Sequence, residues 1–417
     1  MTWRRSATGV MAVAAAVAAV SLSLSACTDD SPKRSDEPHG QALVVVAGGG
    51  TDASAKTAAD AKLTGFVRDL EVGRDGVVRF LTSEKNRASI WVFQPGGSAQ
   101  RILVDPSITA VSQLAVADDG TMYVSHSVKG AGLVSKVDAA GKTTPIVGDG
   151  RVGFTADGGR AAGPASAITG ISVDRQGRLV YGELRFYDAV RQNIGLLRRV
   201  EANGRVTTIA GRSDPLSSDD YSAGIVGSVA PPAGTKALGW ALPGIFQLRS
   251  LATGNDGTIY VESDRGVLAV APDGTIRAVA RRRDKSAAPV AERPFSREGD
   301  AADADPNFLP DAGITEDGGY VTLPVQYARA EDSRAVPSAY RWRGNISAGP
   351  QKIVDAAAQG TDGDDLQHLL RLVRPDGSVT TAAWAVEGGA VRAGHLYVVI
   401  SSGFGGELLI GRLDVPN

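Results

Sequence analysis

Short apolar runs separated by turn residues recur along most of the chain, and residues 153–211 show the pattern in full. The run at 171–173 precedes a turn at Arg175-Gln176-Gly177, and a second run follows at 179–182. After a polar loop, residues 195–200 lead through Asn203-Gly204 to a last run at 206–210. Runs this short and rich in β-branched residues read as strands, and Asn-Gly or Asp-x-Gly supplies the positive φ of a tight hairpin. The stretch predicts one four-stranded antiparallel meander.

The first half of this unit returns as RDLEVGRDGVVRF (68–80), SQLAVADDGTMYV (112–124), RSLATGNDGTIYV (249–261) and DAGITEDGGYVTL (311–323). The second half returns as SIWVFQPGGSAQRILV (89–104), LVSKVDAAGKTTPIV (133–147), GVLAVAPDGTIRAVA (266–280) and HLLRLVRPDGSVTTAA (368–383). One such unit cannot bury both of its faces, so a repeated set predicts an all-β propeller. Residues 42–48, ALVVVAG, match the closing strand VTTIAG at 206–211 but lack preceding strands, whereas 395–401 and 407–415 lack a closing one. The N-terminal strand is therefore expected to complete the last blade, which removes open sheet edges. The count on this register is a six-bladed β-propeller, with five or seven blades also compatible. Its blades fall at about 66–104, 110–147, 168–211, 248–280, 311–383, and 384 to the C-terminus plus 42–48. The fifth carries an insert at 325–367, with AYRWRG, the helix-like PQKIVDAAAQ and the acidic TDGDD, or else an extra strand pair. A second long connection, 214–247, contains Pro231, Pro232, Trp240 and Pro243.

The first 27 residues read as a targeting segment, with Arg4 and Arg5 ahead of an apolar stretch at 10–22 that is too short to span a bilayer with flanks. Leu24-Ser25-Ala26-Cys27 resembles the lipobox of bacterial lipoproteins, and Cys27 is the one cysteine in the 417 residues. The resemblance implies cleavage before Cys27, lipidation of its sulfur, and an anchor on the extracytoplasmic side of the cell membrane. Either general or twin-arginine export fits Arg4-Arg5. Residues 28–40 are polar and read as a flexible tether, and 41–417 as the propeller. With Cys27 lipidated no disulfide remains, so packing must hold the fold. A hydrophobic content of 43% with 6% aromatic residues fits a Val/Ala/Leu core, and 51 glycines fit many turns. The net charge of -2 gives no electrostatic reason for nucleic acid as a partner.

ADGGRAAGPASA (156–167) before GISVDRQGRLVY, followed by LLRRVEANGRVTTIAG, resembles an NHL repeat. Asp157, Gly158 and Gly159 stand in that family's Gly-Asp-Gly-Gly-like loop, and residues 299–304 echo it. The third blade matches closely and the others in part, over about 42–415. The resemblance implies a six-bladed propeller. It does not imply one activity, since its relatives include sensor domains, protein- and RNA-binding modules, lyases and lactonases.

In a propeller the loops from second to third strand and from blade to blade share one face, where ligands commonly bind. That face is expected to gather His126, Asp157, Glu183, Arg185, Arg191, Trp240, Glu262 and Asp264. Four histidines, His39, His126, His368 and His395, offer no zinc set, because a single one falls at the face. Glu183 and Glu262 are the candidates for an ion, and calcium is the ion their oxygens suit; otherwise no cofactor is expected. No nucleophile elbow, His-Glu-x-x-His or P-loop is present in the sequence. The expected function is a monomeric, lipid-anchored binding, scaffold or sensing module for a protein, peptide or cell-wall-derived ligand. The alternative is a metal-assisted propeller enzyme of lyase or lactonase type.

Overall fold

A computed structural model describes residues 43–51, 56–85, 87–187, 192–212, 231–242, 251–263, 266–281, 310–314, 320–322, 328–329, 366–367, 369–373, 379–384, 388–401 and 407–414. All of these belong to the compact unit Pro38–Asn417. The expected signal segment, Cys27, the tether and the helix-like PQKIVDAAAQ lie outside the described residues, as do Arg191 and Asp264.

Five four-stranded antiparallel meanders follow one another along the chain. In the first, Phe66–Val72, Val78–Glu84, Arg87–Phe93 and Gln100–Leu103 run from inner to outer strand. The second runs Val111–Val116, Met122–Val128, Ala131–Val137, Thr143–Val147. The third runs Ala167–Val173, Leu179–Tyr187, Gln192–Val200, Val206–Gly211. The fourth runs Leu251–Thr253, Ile259–Ser263, Gly266–Val270, Ile276–Arg281. The fifth joins Pro310–Ile314, Tyr320–Thr322, Leu369–Val373 and Val379–Trp384. Inside the fifth, Ala328–Arg329 pairs with Leu366–Gln367, so the long insert does carry an extra strand pair. In a further sheet Gly388–Arg392, His395–Ser401 and Glu407–Asp414 are followed by Val44–Gly48 from the other end of the chain, with Leu63–Thr64 also on Glu407–Asp414. Inner strands touch in turn: 66–72 meets 111–116, which meets 167–173, then 251–253, then 310–314, then 388–392, which meets 66–72 again. This radial stack of meanders is an all-β propeller.

Middle strands are covered on both faces and so are apolar almost throughout, as in His395–Ser401, where only His395 is not buried. Outer strands are less covered: Thr143–Val147 has Thr144 and Pro145 exposed and only Val147 buried, and Val206–Ala210 alternates buried with half-buried positions. The core lies between neighbouring sheets. Leu81 and Ile90 meet Leu114 and Val124. Tyr181 and Val206 meet Ala115 and Val134. Val46, Ala47 and Leu63 join Phe80, Trp91, Tyr397 and Val399.

Two devices recur at the sheet margins. Except in the first sheet, whose outer strand pairs without a shift, the outer strands bulge near their ends, the ladder skipping Ile146, Ile209, Val279, Ala382 and, in the N-terminal strand, Val46. Bulges twist an outer strand and end its pairing. After the bulge stands a glycine at positive φ, Gly48, Gly148 or Gly211, where an added Cβ runs into the carbonyl of Leu408, Gly132 or Gly195 on the third strand. A backbone N–H then clips the connection onto the next sheet, that of Asp105 reaching the Gly141 carbonyl at 3.0 Å ahead of the second sheet and an alanine doing so ahead of the first, third and fourth. Ala58, Ala161 and Ala237 donate their N–H to the turn carbonyls of Gly97, Gly204 and Gly274 at 2.7, 2.9 and 2.8 Å. Among the described residues, this clip is the structural content of the loops before the first four inner strands.

Candidate functional site

Among the described residues, the third sheet holds most of the buried charge, in Asp174, Glu183 and Arg198. The loop before it, 148–166, leaves the outer strand of the second sheet and returns to the inner strand of the third. Its carbonyls and N–H groups pair along Val206, with Gly158 donating to the Val206 carbonyl and Val206 to that of Gly159, at 2.8 and 3.0 Å. Asp157 accepts at one oxygen, Oδ1, from Thr208 N, Thr208 Oγ1 and Arg198 Nη2, at 3.0, 2.8 and 3.0 Å.

Arg198 is fully buried, and its other terminal nitrogen lies 2.8 Å from Glu183 Oε2. Glu183, 1% exposed, takes the Ser166 N–H on Oε1 at 3.0 Å. Buried charges persist only when paired and hydrogen-bonded, and here each charge has an opposite partner, although Arg198 Nε itself makes no hydrogen bond among the described residues. The Arg198 guanidinium is 4.5 Å from the centre of the Phe154 ring and that of Arg185 is 4.1 Å from it. Asp157, Glu183 and Arg185, expected to share a ligand face, are thus brought together, but Glu183 faces Arg198 rather than open space. Phe154, Arg198 and Thr208 complete the cluster. Only the apolar-basic run Leu196-Leu197-Arg198-Arg199-Val200 hinted at Arg198, and nothing in that run says which arginine turns inward.

His126 occupies the same station one sheet earlier. It lies six residues past Gly120, as Glu183 lies six past Gly177, and its Nε2 meets Ser135 Oγ at 2.9 Å where Glu183 meets Arg198. Burial pulls its pKa down to about 4, so the ring is neutral in ordinary buffer. Glu262 lies five residues past Gly257 and pairs with Val267, one register step away from the Glu183 station. The two glutamates therefore do not occupy equivalent positions. Trp240 packs with Ala237, Leu242 and Leu251 between the third and fourth sheets, and its indole Nε1 is buried. Among the described residues, no group of three or more His, Cys, Asp or Glu gathers as metal ligands do.

The inner strands carry a second polar set. Asp69 accepts from Leu70 N and, across to the next sheet, from Leu114 N, both at 2.8 Å. Gln113 Nε2 reaches the Thr169 carbonyl at 3.4 Å, and Ser172 meets Thr253 at 3.1 Å. Burial, and then the charge of Asp69, push Glu71 up to about 8, against the opposing pull of Arg392 and Arg79. These bonds tie neighbouring inner strands together.

No family model and no curated protein matches the chain. Among solved structures, the chain is similar to a protein of unknown function from Bacteroides thetaiotaomicron (12% identity, TM-score 0.47, 90% of this chain and 76% of that one). It is also similar to a gluconolactonase from Xanthomonas campestris (11%, 0.45, 91% and 99%). A virginiamycin B lyase from Staphylococcus aureus is a third (11%, 0.40, 85% and 98%). Likeness at this level assigns no activity.

Proposed function

We propose that the protein is exported, anchored through lipidated Cys27, and acts as a monomeric six-bladed propeller that binds a ligand of the cell envelope. The propeller spans 41–417, behind a tether at 28–40. Closure by the N-terminal strand is supported by Val44–Gly48 repeating the bulge and the positive-φ glycine of the second and third outer strands. It is supported also by Ala58, which repeats their clip. Export is supported by Leu24-Ser25-Ala26-Cys27.

The observation that carries the binding reading is the loop 148–166, which is hydrogen-bonded along its length to the third sheet and to itself. Within the loop Asp157 is engaged by Arg198 and Thr208 and Asp149 by Arg151, and Glu183 on the adjoining strand is engaged by Arg198 and Ser166, so these groups hold shape rather than await a reaction. What the loop offers outward is a half-buried Phe154 beside Arg185, the 66% exposed Val152 and the open side of Asp157. Preformed surfaces of this kind bind without first paying to order themselves. A photo-crosslinking residue at Val152, in intact envelopes, is expected to give adducts that Arg185→Ala removes. The same residue at Ala140, in a turn at the opposite ends of the strands, is expected to give none. Equal labelling from both positions counts against a binding face at this loop.

A further inference from the structure

We propose that Arg160, Asn203 and Arg205 form a binding site for a phosphate group. The site uses none of the side chains of the binding face proposed above, so either can fail without the other. Its first feature is a juxtaposition of like charges. Arg160, in loop 148–166, and Arg205, just ahead of the outer strand, are partners in an antiparallel bridge, which sets their side chains on the same side of the backbone. Both are exposed. Like charges directly opposite each other work against the fold. Among the described residues neither guanidinium has a carboxylate at ion-pairing distance, because the acids of the loop and the third sheet are already held. Asp149 pairs with Arg151, Asp157 and Glu183 with Arg198, Asp174 with Arg178, and Glu201 with Arg178 and Arg199. A local conflict that nothing in the chain compensates is where a function is expected.

The second feature is that the backbone beneath these groups is already fixed. Glu201 N donates to the Arg205 carbonyl and Gly204 N to that of Glu201, both at 2.8 Å, and Ala161 N to that of Gly204 at 2.9 Å. Arg205 Nη1 donates to the Gly158 carbonyl, which holds the guanidinium against the loop. Asn203 Oδ1 accepts from Arg205 N at 3.0 Å, so the amide is oriented too, and its Nδ2 has no acceptor among the described residues. Groups ordered in the free protein lose little entropy on binding. What these side chains leave for a ligand is the N–H donors of two guanidinium groups and one amide, with a positive charge on each guanidinium. A cation is repelled there, and a neutral ligand makes no use of the charge. Guanidinium forks match the oxygens of phosphate and carboxylate. Donors from three side chains exceed what the two oxygens of one carboxylate can face in its plane, whereas a phosphate turns its oxygens outward in tetrahedral directions.

Titration calorimetry of the full chain at constant ionic strength tests this. The probes are inorganic phosphate, a glycerol phosphate monoester and the diester glycerophosphoglycerol, with acetate as the control anion. At least one phosphate is expected to bind saturably, at a millimolar or tighter dissociation constant, and about tenfold more tightly than acetate. Tightest binding of the diester assigns a lipid headgroup or an envelope polymer as the source; tightest binding of the monoester or of inorganic phosphate assigns a free phosphate. Arg160→Gln and Arg205→Gln are each expected to weaken binding about tenfold, and Arg151→Gln, whose guanidinium serves Asp149, to bind like the parent. Arg160→Gln breaks no side-chain contact among the described residues, so it keeps the parent's melting midpoint and is the deciding variant. The proposal is overturned if no phosphate probe binds, if acetate binds as tightly as the phosphates, if Arg160→Gln binds like the parent, or if Arg151→Gln weakens binding as much as Arg160→Gln does.

Discussion

Replacing Arg198 with methionine keeps much of the side-chain volume and removes the charge. Its two carboxylate partners respond differently. Asp157 is 52% exposed and rehydrates in place, keeping its bonds from Thr208. Glu183 is 1% exposed and retains only the Ser166 N–H. Leaving one member of a buried pair uncompensated costs about 3–5 kcal/mol. At roughly 2.1 cal/mol/K of unfolding entropy per residue, a loss of about 4 kcal/mol lowers the melting midpoint by about 5 °C if the ring unfolds as one unit. The double variant Arg198→Met with Glu183→Met removes both charges. Its cost is expected to shrink to about 1–2 kcal/mol, mainly the Ser166 N–H left without an acceptor. Calorimetric melts of the parent, both single variants and the double variant measure the coupling directly. The reasoning fails if Arg198→Met costs under about 1 kcal/mol, or if the double variant is as unstable as the sum of the singles.

Two further outcomes test other parts of the fold. Glu71 titrates at about 8 in the folded protein against 4.5 in the unfolded chain, so the folded state holds the extra proton. Its stabilisation is full below about pH 4.5 and is lost as pH rises through 8, so the melting midpoint is expected to fall across that window and Glu71→Gln to flatten the fall. An unchanged slope in the Gln variant removes Glu71 as the cause. Gly411→Ala places a methyl group on the side chain of Leu43, which is fully buried, and ejecting that leucine is expected to cost about 2–5 kcal/mol. Gly204→Ala meets open space at φ +73° and is expected to cost about 1 kcal/mol; equal melting shifts for the two speak against tight docking of the N-terminal strand.

The repeated meander was legible because its signals are local. Asp-Gly and Asn-Gly turns between apolar runs mark hairpins without reference to the rest of the chain, as at Asp256-Gly257 and Asn203-Gly204. The pairing of Val44–Gly48 with Glu407–Asp414 was legible too, because each end lacked what the other had. The site was legible only in part. Asp157, Glu183 and Arg185 stood out as polar residues in or beside loops, but Trp240, which stood out for its place in the long connection 214–247, packs between two sheets instead.

What the sequence by itself determined is the repeat, the strand order within each meander, and the turn chemistry, since these depend on neighbours a few residues apart. What only the tertiary structure decided is which polar side chains are spent on holding the fold. Glu183 and Arg198 are fifteen residues apart, and Asp157 and Arg198 forty-one, and their pairing depends on strand register and on the path of loop 148–166. Register fixes which face of a strand each residue occupies, and a shift of one exchanges core for surface. For that reason Glu183 and Glu262, alike in the sequence, stand at different stations, whereas His126 and Glu183, unlike in chemistry, stand at the same one.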